Sequence, residues 1–257
     1  MFNIENFDIK LETSFLGRNF YYFETIDSTN SFLMKSKKSF KNGTLVLSEF
    51  QEEGRGRLKR NWQSKKLQNL TFSVILNEKL ENYNFNIINL AASLSVANSI
   101  ENLYQLKPEL KWPNDVLINA KKVSGILLES SSTNDKIDKL IIGFGINVNQ
   151  NTFQGDFNIQ PTSIRFELKK EIDREKLLSE LLNIFESLIF LSKNNAKKIL
   201  DMWRDKCRMI GEHVSVTTIN EKKYGIFEDI DANGFMILKI ADKYEKISYG
   251  DVSLMVK

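Results

Sequence analysis

The sequence has little of what several protein classes require. It contains one cysteine, Cys207, so no disulfide can form within the chain, and a reducing compartment such as the cytoplasm is expected. It also contains one histidine, His213, which excludes a histidine-rich metal site and disfavours a Ser-His-Asp triad. A structural role for Cys207 and His213 is favoured over a nucleophilic pair, because nothing around them resembles an activating site.

Other absences exclude further classes of protein. No apolar run is long enough to cross a bilayer, and the N-terminal residues lack the basic segment of a secretory signal, so no membrane contact is expected. The 36 lysines and arginines exceed the 33 acidic residues by only 36 − 33 = 3, which does not indicate a general nucleic-acid surface. A length of 257 residues, 42% of them apolar, favours one large globular domain with or without a small appendage.

One segment combines glycines with many cations. Residues 54–62 read G-R-G-R-L-K-R-N-W, and they lie within a long connection, residues 51–69, which we call the basic loop. Glycine permits tight turns and close approach of the backbone to a ligand, and guanidinium groups bind phosphate oxygens in pairs. The segment is neither a Rossmann fingerprint, whose third glycine position holds Lys59, nor a Walker loop. A phosphate-binding loop and a solvated basic hairpin tip both fit it.

The hydrophobic pattern predicts a mixed set of elements. Strands are expected at residues 20–26, 44–50, 70–76 and 139–148, with a hairpin over 116–129. A buried helix is expected over 86–104, and further helices over 173–191 and 196–206. Residues 27–30 can cap a short helix that ends near residue 38. From residue 212 onward, short alternating runs separated by turns predict a small β-barrel, which divides the chain into residues 1–210 and 211–257.

Four stretches hold polar residues or glycines that an ordinary sheet does not need. They are S-T-N at 28–30, the basic loop with Gln51, K-W-P-N-D at 111–115 with K-x-x-G-I-L at 122–127, and G-F-G-I-N at 143–147. In this order they resemble the catalytic module of the biotin protein ligases, over about residues 21–255. The resemblance implies an α+β fold: a biotin/lipoate ligase-like domain with a mixed β-sheet and helices on one face, followed by a small SH3-like β-barrel.

The resemblance also implies a reaction in two steps. Biotin is activated by ATP as biotinyl-AMP with release of pyrophosphate, and biotin is then transferred to a lysine of a biotin carboxyl carrier protein. Neither step needs a protein nucleophile, so catalysis would rest on positioning and electrostatics. The implied substrates are ATP and biotin, with Mg²⁺ as the metal. The segment before residue 21 is too short for the winged-helix domain of some members, so no specific DNA is expected. The resemblance allows a homodimer.

The family motifs assign three tasks to residues of this chain. Biotin binding is implied for Ser28, Thr29, Asn30, Gln51, Arg55, Gly56, Arg57, Lys122, Gly125, Gly143 and Gly145. ATP binding is implied for Arg57, Arg60, Trp62, Asn114, Asp115 and Asn147. The catalytic residues are Lys122, Arg57 and Arg55, and Asp115 is the implied metal ligand because hard cations prefer oxygen.

The chain departs from the family pattern at several positions. Lys59 replaces a glycine, Glu52 and Glu53 add negative charge beside the expected phosphate site, and Thr71 replaces an aromatic residue. Two alternatives stay open: a lipoate or octanoate ligase or transferase of the same fold, and a nucleic-acid-binding module that uses the basic loop. The G-R-G-R and K-W-P-N-D motifs favour biotin over lipoate, and the small net charge disfavours the nucleic-acid module.

Overall fold

Seven strands pair into one mixed sheet, which forms the centre of the molecule. The computed structural model describes residues 1–36, 38–133, 136–218 and 221–255, with Lys59 described by its backbone alone. The strands lie in the order β1-β2-β3-β7-β6-β5-β4, and β1 runs parallel to β2 while the other neighbours are antiparallel. Their bounds are Phe20–Phe23 (β1), Leu45–Ser48 (β2), Leu70–Leu76 (β3), Glu109–Lys111 (β4), Asp115–Ile118 (β5), Lys121–Thr133 (β6) and Lys136–Ile146 (β7).

Alternation along the strands gives this sheet two different faces. On β3 and β7, Phe72 and Phe144 stack with ring centroids 4.7 Å apart, and Phe144 meets Phe185 of a covering helix at 5.5 Å. The neighbouring positions point to the other face, where Thr71 and Ser73 lie opposite glycines of β7. One face is therefore a packed core, and the other is lined by small residues.

Helices cover both faces. Their bounds are Ile4–Lys10 (α1), Thr29–Lys35 (α2), Phe85–Tyr104 (α3), Ile164–Leu168 (α4), Arg174–Asn194 (α5) and Ala196–Lys206 (α6). Helices α3 and α5 lie on the core face, and Asp173 caps α5 by accepting from the Lys176 amide, as the sequence predicts. On the opposite face, Leu33 of α2 packs against Ile75 and Ile141. The expectation of helices on one face is therefore incomplete.

The C-terminal residues form a second, antiparallel sheet of five strands. Its strands are His213–Thr217 (β8), Lys222–Ile230 (β9), Met236–Ile240 (β10), Lys243–Ile247 (β11) and Asp251–Leu254 (β12), in the order β11-β10-β9-β8-β12. This confirms the predicted α+β class with a small SH3-like unit at the C-terminal end. Trp112 donates its indole N–H to the Gly234 carbonyl at 3.1 Å, so the small sheet rests on the larger unit.

A buried ion pair joins the N-terminal segment to the core. Arg174 Nη1 lies 2.5 Å from Glu49 Oε2, and Glu49 Oε1 accepts from the Phe2 amide at 2.7 Å and from the Tyr22 hydroxyl at 3.0 Å. Burial pushes the pKa of Glu49 upward, but its hydrogen bonds and the charge of Arg174 hold the pKa below its usual range. Within the described ranges, no helix has the length and apolarity needed to span a bilayer.

Candidate functional site

A cavity of about 440 Å³ lies over the small-residue face of the large sheet. Its floor is flat because Gly125 pairs with Gly145 across β6 and β7, and Gly143 lies two residues away on the same face. Every residue that the sequence assigned to the site lines this one cavity: Ser28, Thr29, Asn30, Gln51, Arg55, Gly56, Arg57, Arg60, Trp62, Asn114, Asp115, Lys122, Gly125, Gly143, Gly145 and Asn147.

One end of the cavity is built from neutral polar groups. The Thr29 amide donates to Gln51 Oε1 at 2.8 Å, and the Thr29 hydroxyl lies 2.6 Å from the Ser73 hydroxyl. Ser73 donates to Asn30 Oδ1 at 2.5 Å. Ser28 caps α2, as the sequence allowed, and its side chain accepts from the Ser31 amide. This end can donate to and accept from an uncharged ligand without burying a net charge.

The other end is cationic. Lys122 Nζ lies 2.6 Å from Asp115 Oδ1, and Lys111 Nζ lies 3.6 Å from Asp115 Oδ2. Burial raises the pKa of Asp115, but Lys122 and Lys111 outweigh it, so the pKa lies below its usual value and the carboxylate is ionised. Burial lowers the pKa of Lys111 and of Arg57, against the opposing effect of nearby carboxylates. Three cations thus converge on one carboxylate, and this end suits an anionic ligand.

A β-bulge aims Lys122 into the cavity. Asp115 pairs with Gly125 and Leu117 pairs with Lys122, so β6 has one residue more than β5 between these two pairs. In a regular ladder, Lys122 and Gly125 would point to opposite faces, because they are three positions apart. With the bulge, both line the cavity, and Lys122 reaches Asp115.

The donor set does not suit a metal ion held by the protein alone. Both oxygens of Asp115 face ammonium groups, and the cavity wall around it carries Arg57, Lys111 and Lys122. In the parts of the chain that the structure describes, no group of three or more His, Cys, Asp or Glu side chains could hold a metal. A divalent cation at this end would therefore need phosphate oxygens from a ligand.

The basic loop folds over the cavity and is fixed at both ends. Its turn is closed by hydrogen bonds from the Trp62 amide to the Gly54 carbonyl at 2.8 Å and from the Gly56 amide to the Arg60 carbonyl at 2.7 Å. Glycine is required at position 54, because a Cβ there would lie 2.4 Å from the Trp62 carbonyl oxygen. The loop cations therefore occupy defined positions.

Each arginine of the loop has a partner. Arg55 Nη2 donates to Glu129 at 3.0 Å, Arg57 Nη1 donates to Asn114 at 3.0 Å, and Arg60 forms an ion pair with Asp251 of β12. Arg57 Nη2 also donates to the Gly250 carbonyl at 3.4 Å, so the small C-terminal sheet contributes to the wall.

Trp62 lies directly on the glycine floor. A Cβ at Gly145 would be 2.3 Å from Trp62 Cε2, and a Cβ at Gly125 would be 3.4 Å from Trp62 Cζ3. Trp62 Nε1 is buried and has no hydrogen-bond partner within the described residues, while Lys122 Nζ lies 6.0 Å from the ring centroid. The sequence placed Trp62 over a nucleotide. Here the indole covers the floor itself, at the place predicted for biotin.

A second connection, to which the motifs assigned no task, forms part of the wall. Most residues of the segment 150–161 line the cavity, among them Phe153, Phe157 and Ile159. The segment is tied at its base, because the Lys122 amide donates to the Gln160 carbonyl at 2.8 Å and the Thr162 amide donates to the Lys122 carbonyl at 2.9 Å. Next to it, Asn147 Oδ1 is buried and has no partner in the described part of the chain, which suits a ligand donor.

The departures from the family pattern have different outcomes. Glu52 and Glu53 are exposed and do not line the 440 Å³ cavity, but they line a neighbouring cavity together with the loop arginines. Thr71 is buried, and its hydroxyl donates to the Ser48 carbonyl at 2.7 Å. The side chain of Lys59 lies outside what the structure describes. Two acidic residues that the sequence analysis missed, Glu129 and Asp251, hold the loop arginines.

Comparisons with known proteins agree with this geometry. The model of the biotin/lipoate A/B protein ligase family matches residues 22–147, and that of the biotin protein ligase C terminal domain matches residues 209–255. The bifunctional ligase/repressor BirA of Bacillus subtilis is 31% identical over 248 residues, which cover 95% of this chain and 76% of that protein. The biotin–[acetyl-CoA-carboxylase] ligase of Mycobacterium tuberculosis is 30% identical over 88% of this chain and 85% of its own length.

Solved structures show the same similarity. The biotin protein ligase from Aquifex aeolicus in complex with biotin and ATP superposes with a TM-score of 0.80 at 30% identity, and the match covers 93% of this chain and 100% of that one.

Proposed function

The chain belongs to the biotin protein ligase family, and on that premise we propose that it activates biotin with ATP and attaches it to a lysine of a carrier protein. The observation that carries the proposal is the polarity of the cavity. Its neutral end is built from Thr29, Asn30 and Gln51. Its cationic end is built from Arg57 and Lys122, and a glycine floor joins the two ends. Biotin has a neutral ureido group at one end and a carboxylate at the other, and this cavity matches both.

The first step joins the biotin carboxylate to the nucleotide. A carboxylate oxygen attacks the α-phosphorus of ATP, the bond to the bridging oxygen breaks, and pyrophosphate leaves. We propose that Lys122 and Arg57 offset the repulsion between the two anions, and that Arg55 positions the loop over them. Asp115 directs the ammonium of Lys122 at this point, since Nζ lies 2.6 Å from Oδ1. Asn114, Asn147 and Arg60 remain proposed nucleotide contacts, and Trp62 can become one only when its ring leaves the glycine floor.

We propose that Mg²⁺ arrives with ATP as part of the substrate. When bound to the phosphates, it supplies further neutralisation of their charge. Asp115 as a direct metal ligand is the weaker assignment, because two lysines already engage its oxygens.

The second step transfers biotin to the carrier. The neutral amine of the acceptor lysine attacks the carbonyl carbon of the mixed anhydride, AMP leaves, and the amine loses a proton. No covalent intermediate with this protein is required. We propose that the acceptor is a biotin carboxyl carrier of the kind indicated by relatives named biotin–[acetyl-CoA-carboxylase] ligase, and that the reaction takes place in the cytoplasm, as the single cysteine suggests.

The domain division at residue 210 is part of the same proposal. Residues 211–257 supply Gly250 and Asp251, which contact Arg57 and Arg60, so this unit completes the loop side of the cavity. These contacts also disfavour a nucleic-acid-binding role for the basic loop, because its arginines are directed at protein partners.

The decisive experiment incubates the protein with ATP, Mg²⁺, biotin and a biotin carrier domain and measures the mass of the carrier. A biotin adduct that requires ATP, and that is absent when the acceptor lysine is replaced by arginine, is expected. Parallel reactions with lipoate and octanoate test the related ligases. Modification by either of these acids, without modification by biotin, would refute the proposal.

A further inference from the structure

Glu129 is a charged side chain to which no motif assigns a task, and it does not line the 440 Å³ cavity itself but contacts two residues that do. It lies on β6, two residues beyond Leu127 and four beyond Gly125, so it shares the face that carries the glycine floor. Its Oε2 atom accepts from Asn30 Nδ2 at 2.8 Å and from Arg55 Nη2 at 3.0 Å. One carboxylate oxygen therefore holds both a residue of the neutral end and a residue of the basic loop.

The contact with Asn30 fixes the direction of a whole hydrogen-bond chain. An ionised carboxylate only accepts, so it requires the NH₂ group of Asn30 to face it and turns Asn30 Oδ1 toward Ser73. Ser73 then uses its single proton on Asn30, at 2.5 Å, so the Thr29 hydroxyl donates to Ser73, at 2.6 Å, in place of Gln51 Oε1, which lies 3.1 Å from it.

This series of hydrogen bonds ends at Gln51. Its Oε1 atom accepts from the Thr29 amide at 2.8 Å, which leaves the Gln51 NH₂ group as a donor in the cavity. The Leu127 carbonyl also accepts from Asn30 Nδ2, at 3.3 Å. A half-turn of the Asn30 amide therefore needs a group at position 129 that also donates, and it gives up the bond to Leu127.

The contact with Arg55 acts on the loop. Arg55 reaches across to β6 for this bond, and 42% of its side chain and 26% of that of Glu129 are exposed. A pair exposed to this degree adds little to global stability. It does determine where the loop lies, because Arg55 directly follows the turn glycine, Gly54.

We propose that Glu129 is a positioning residue for biotin binding, which orders the hydrogen-bonding end of the cavity through Asn30 and holds the basic loop over it through Arg55. The inference rests on the proposed function. It predicts an effect mainly on the binding of biotin, because Asn30 belongs to the neutral end, and a smaller effect on the chemical step, because Glu129 reaches the loop through Arg55 and contacts neither Arg57 nor Lys122.

The test replaces Glu129 by glutamine and measures biotin-dependent exchange of pyrophosphate into ATP. Glu129→Gln keeps the size of the side chain, removes the charge opposite Arg55 and permits the amide of Asn30 to rotate. We expect the KM for biotin to rise about tenfold, with kcat within about twofold and the KM for ATP unchanged, as for loss of a binding interaction made equally in the ground and transition states.

Asp138→Asn is the matched control. Asp138 lies on the adjoining strand, accepts from Ser131 and Thr133, and is outside the cavity, so the same change from carboxylate to amide should leave all three constants unchanged. If Glu129→Gln does not fold, Glu129→Asp keeps the charge but shortens the side chain, and it should raise the KM for biotin with the same kcat.

The role of Glu129 would be overturned if folded Glu129→Gln had an unchanged KM for biotin. If the glutamine variant does not fold, the same result in Glu129→Asp would overturn it. A fall in kcat that accompanies a fall in the melting temperature would also overturn it, since the two together indicate a structural role. Absence of biotin-dependent exchange in the wild-type protein would instead refute the proposed function, so the two failures are distinguishable.

Discussion

Asn30 occupies the space that a side chain at Gly143 would need. A Cβ at position 143 would lie 2.3 Å from Asn30 Oδ1 and 2.9 Å from Asn30 Cγ. Asn30 cannot move aside cheaply, because Ser73 and Glu129 hold the two ends of its amide. The glycine is thus required by contact and not by backbone angle.

Gly143→Ala should therefore displace Asn30 and weaken biotin binding. We expect a rise of at least about tenfold in the KM for biotin and a loss of about 1–3 kcal/mol in the free energy of unfolding, which is typical of overpacking. Gly56→Ala is the control for folding, because the nearest atom to its Cβ, the Arg60 carbonyl oxygen, is 3.4 Å away. Wild-type values for both quantities in Gly143→Ala would contradict the packing described here.

Lys122→Met should damage adenylate formation strongly. Loss of a cation at the transferring phosphate should remove about 2–4 kcal/mol of transition-state stabilisation. Stability should fall less, by roughly 2–4 °C in melting temperature, because Lys111 still faces Asp115. Lys121→Met is the matched control, since Lys121 lies over the Phe166 ring, 5.5 Å from its centroid. Pyrophosphate exchange at the wild-type rate in Lys122→Met would exclude the assigned role.

The basic loop should become resistant to trypsin when substrates bind. It carries Arg55, Arg57 and Arg60 in a short stretch, and without a ligand only a few polar contacts and the Trp62 ring hold it. A bound adenylate would supply a phosphate for these cations. Mass mapping after limited digestion should show protection by biotin with ATP that exceeds protection by ATP alone. Cleavage after Lys243 serves as an internal reference, and equal cleavage in the loop with and without ligands would argue against closure.

Asp251→Asn should make the basic loop more mobile without exposing the hydrophobic core. The carboxylate of Asp251 pairs with Arg60, and removing its charge leaves that guanidinium without an ionic partner in the described structure. We expect faster tryptic cleavage after Arg60 and a KM for ATP that is several-fold higher, with an unchanged melting temperature. Truncation after residue 210 should also impair activity, but it would expose the face around Trp112 as well. Wild-type cleavage and KM in Asp251→Asn would show that the C-terminal sheet does not act through this pair.

Acid should destabilise the protein partly through Glu49. Its pKa is lowered in the folded state relative to the unfolded value of about 4.3, so its contribution is present at neutral pH and is lost as pH falls through the folded pKa. Glu49→Gln should cost about 3–5 kcal/mol at pH 7, because Arg174 stays buried without its partner. Urea unfolding at about pH 7 and about pH 3 should show a smaller pH dependence for Glu49→Gln than for the wild type. Glu12→Gln, at an exposed position, should behave as the wild type does.

The motifs selected residues that the structure places around one cavity, but they did not predict the contacts among those residues. All residues taken from the motifs line one cavity, because each motif combines unusual residues at a strand end and such ends lie together. Glu129 escaped notice because a single acidic residue on a hairpin strand is typical of a solvent-facing position. Asp251 escaped notice because its partner, Arg60, is far from it in the sequence, and no local pattern predicts such a pair.

Short helices were also difficult to predict from the sequence. Helix α1, Ile4–Lys10, was not predicted because seven residues give too few repeats for a helical period to be recognised. Its Phe7 is buried by tertiary contacts that the local sequence does not encode.

Because β6 carries an extra residue, the direction of Lys122 depends on the number of residues between Lys122 and Gly125. At the present spacing of three positions, a strand without the bulge would turn the ammonium group of Lys122 toward the helices. Loss of one residue between Lys122 and Gly125 would instead leave a regular strand with both residues on the cavity face. A related sequence with K-x-x-G at this point therefore needs the bulge, whereas one with K-x-G does not. When homologues are compared, the number of residues between the lysine and the glycine is as informative as the residues themselves.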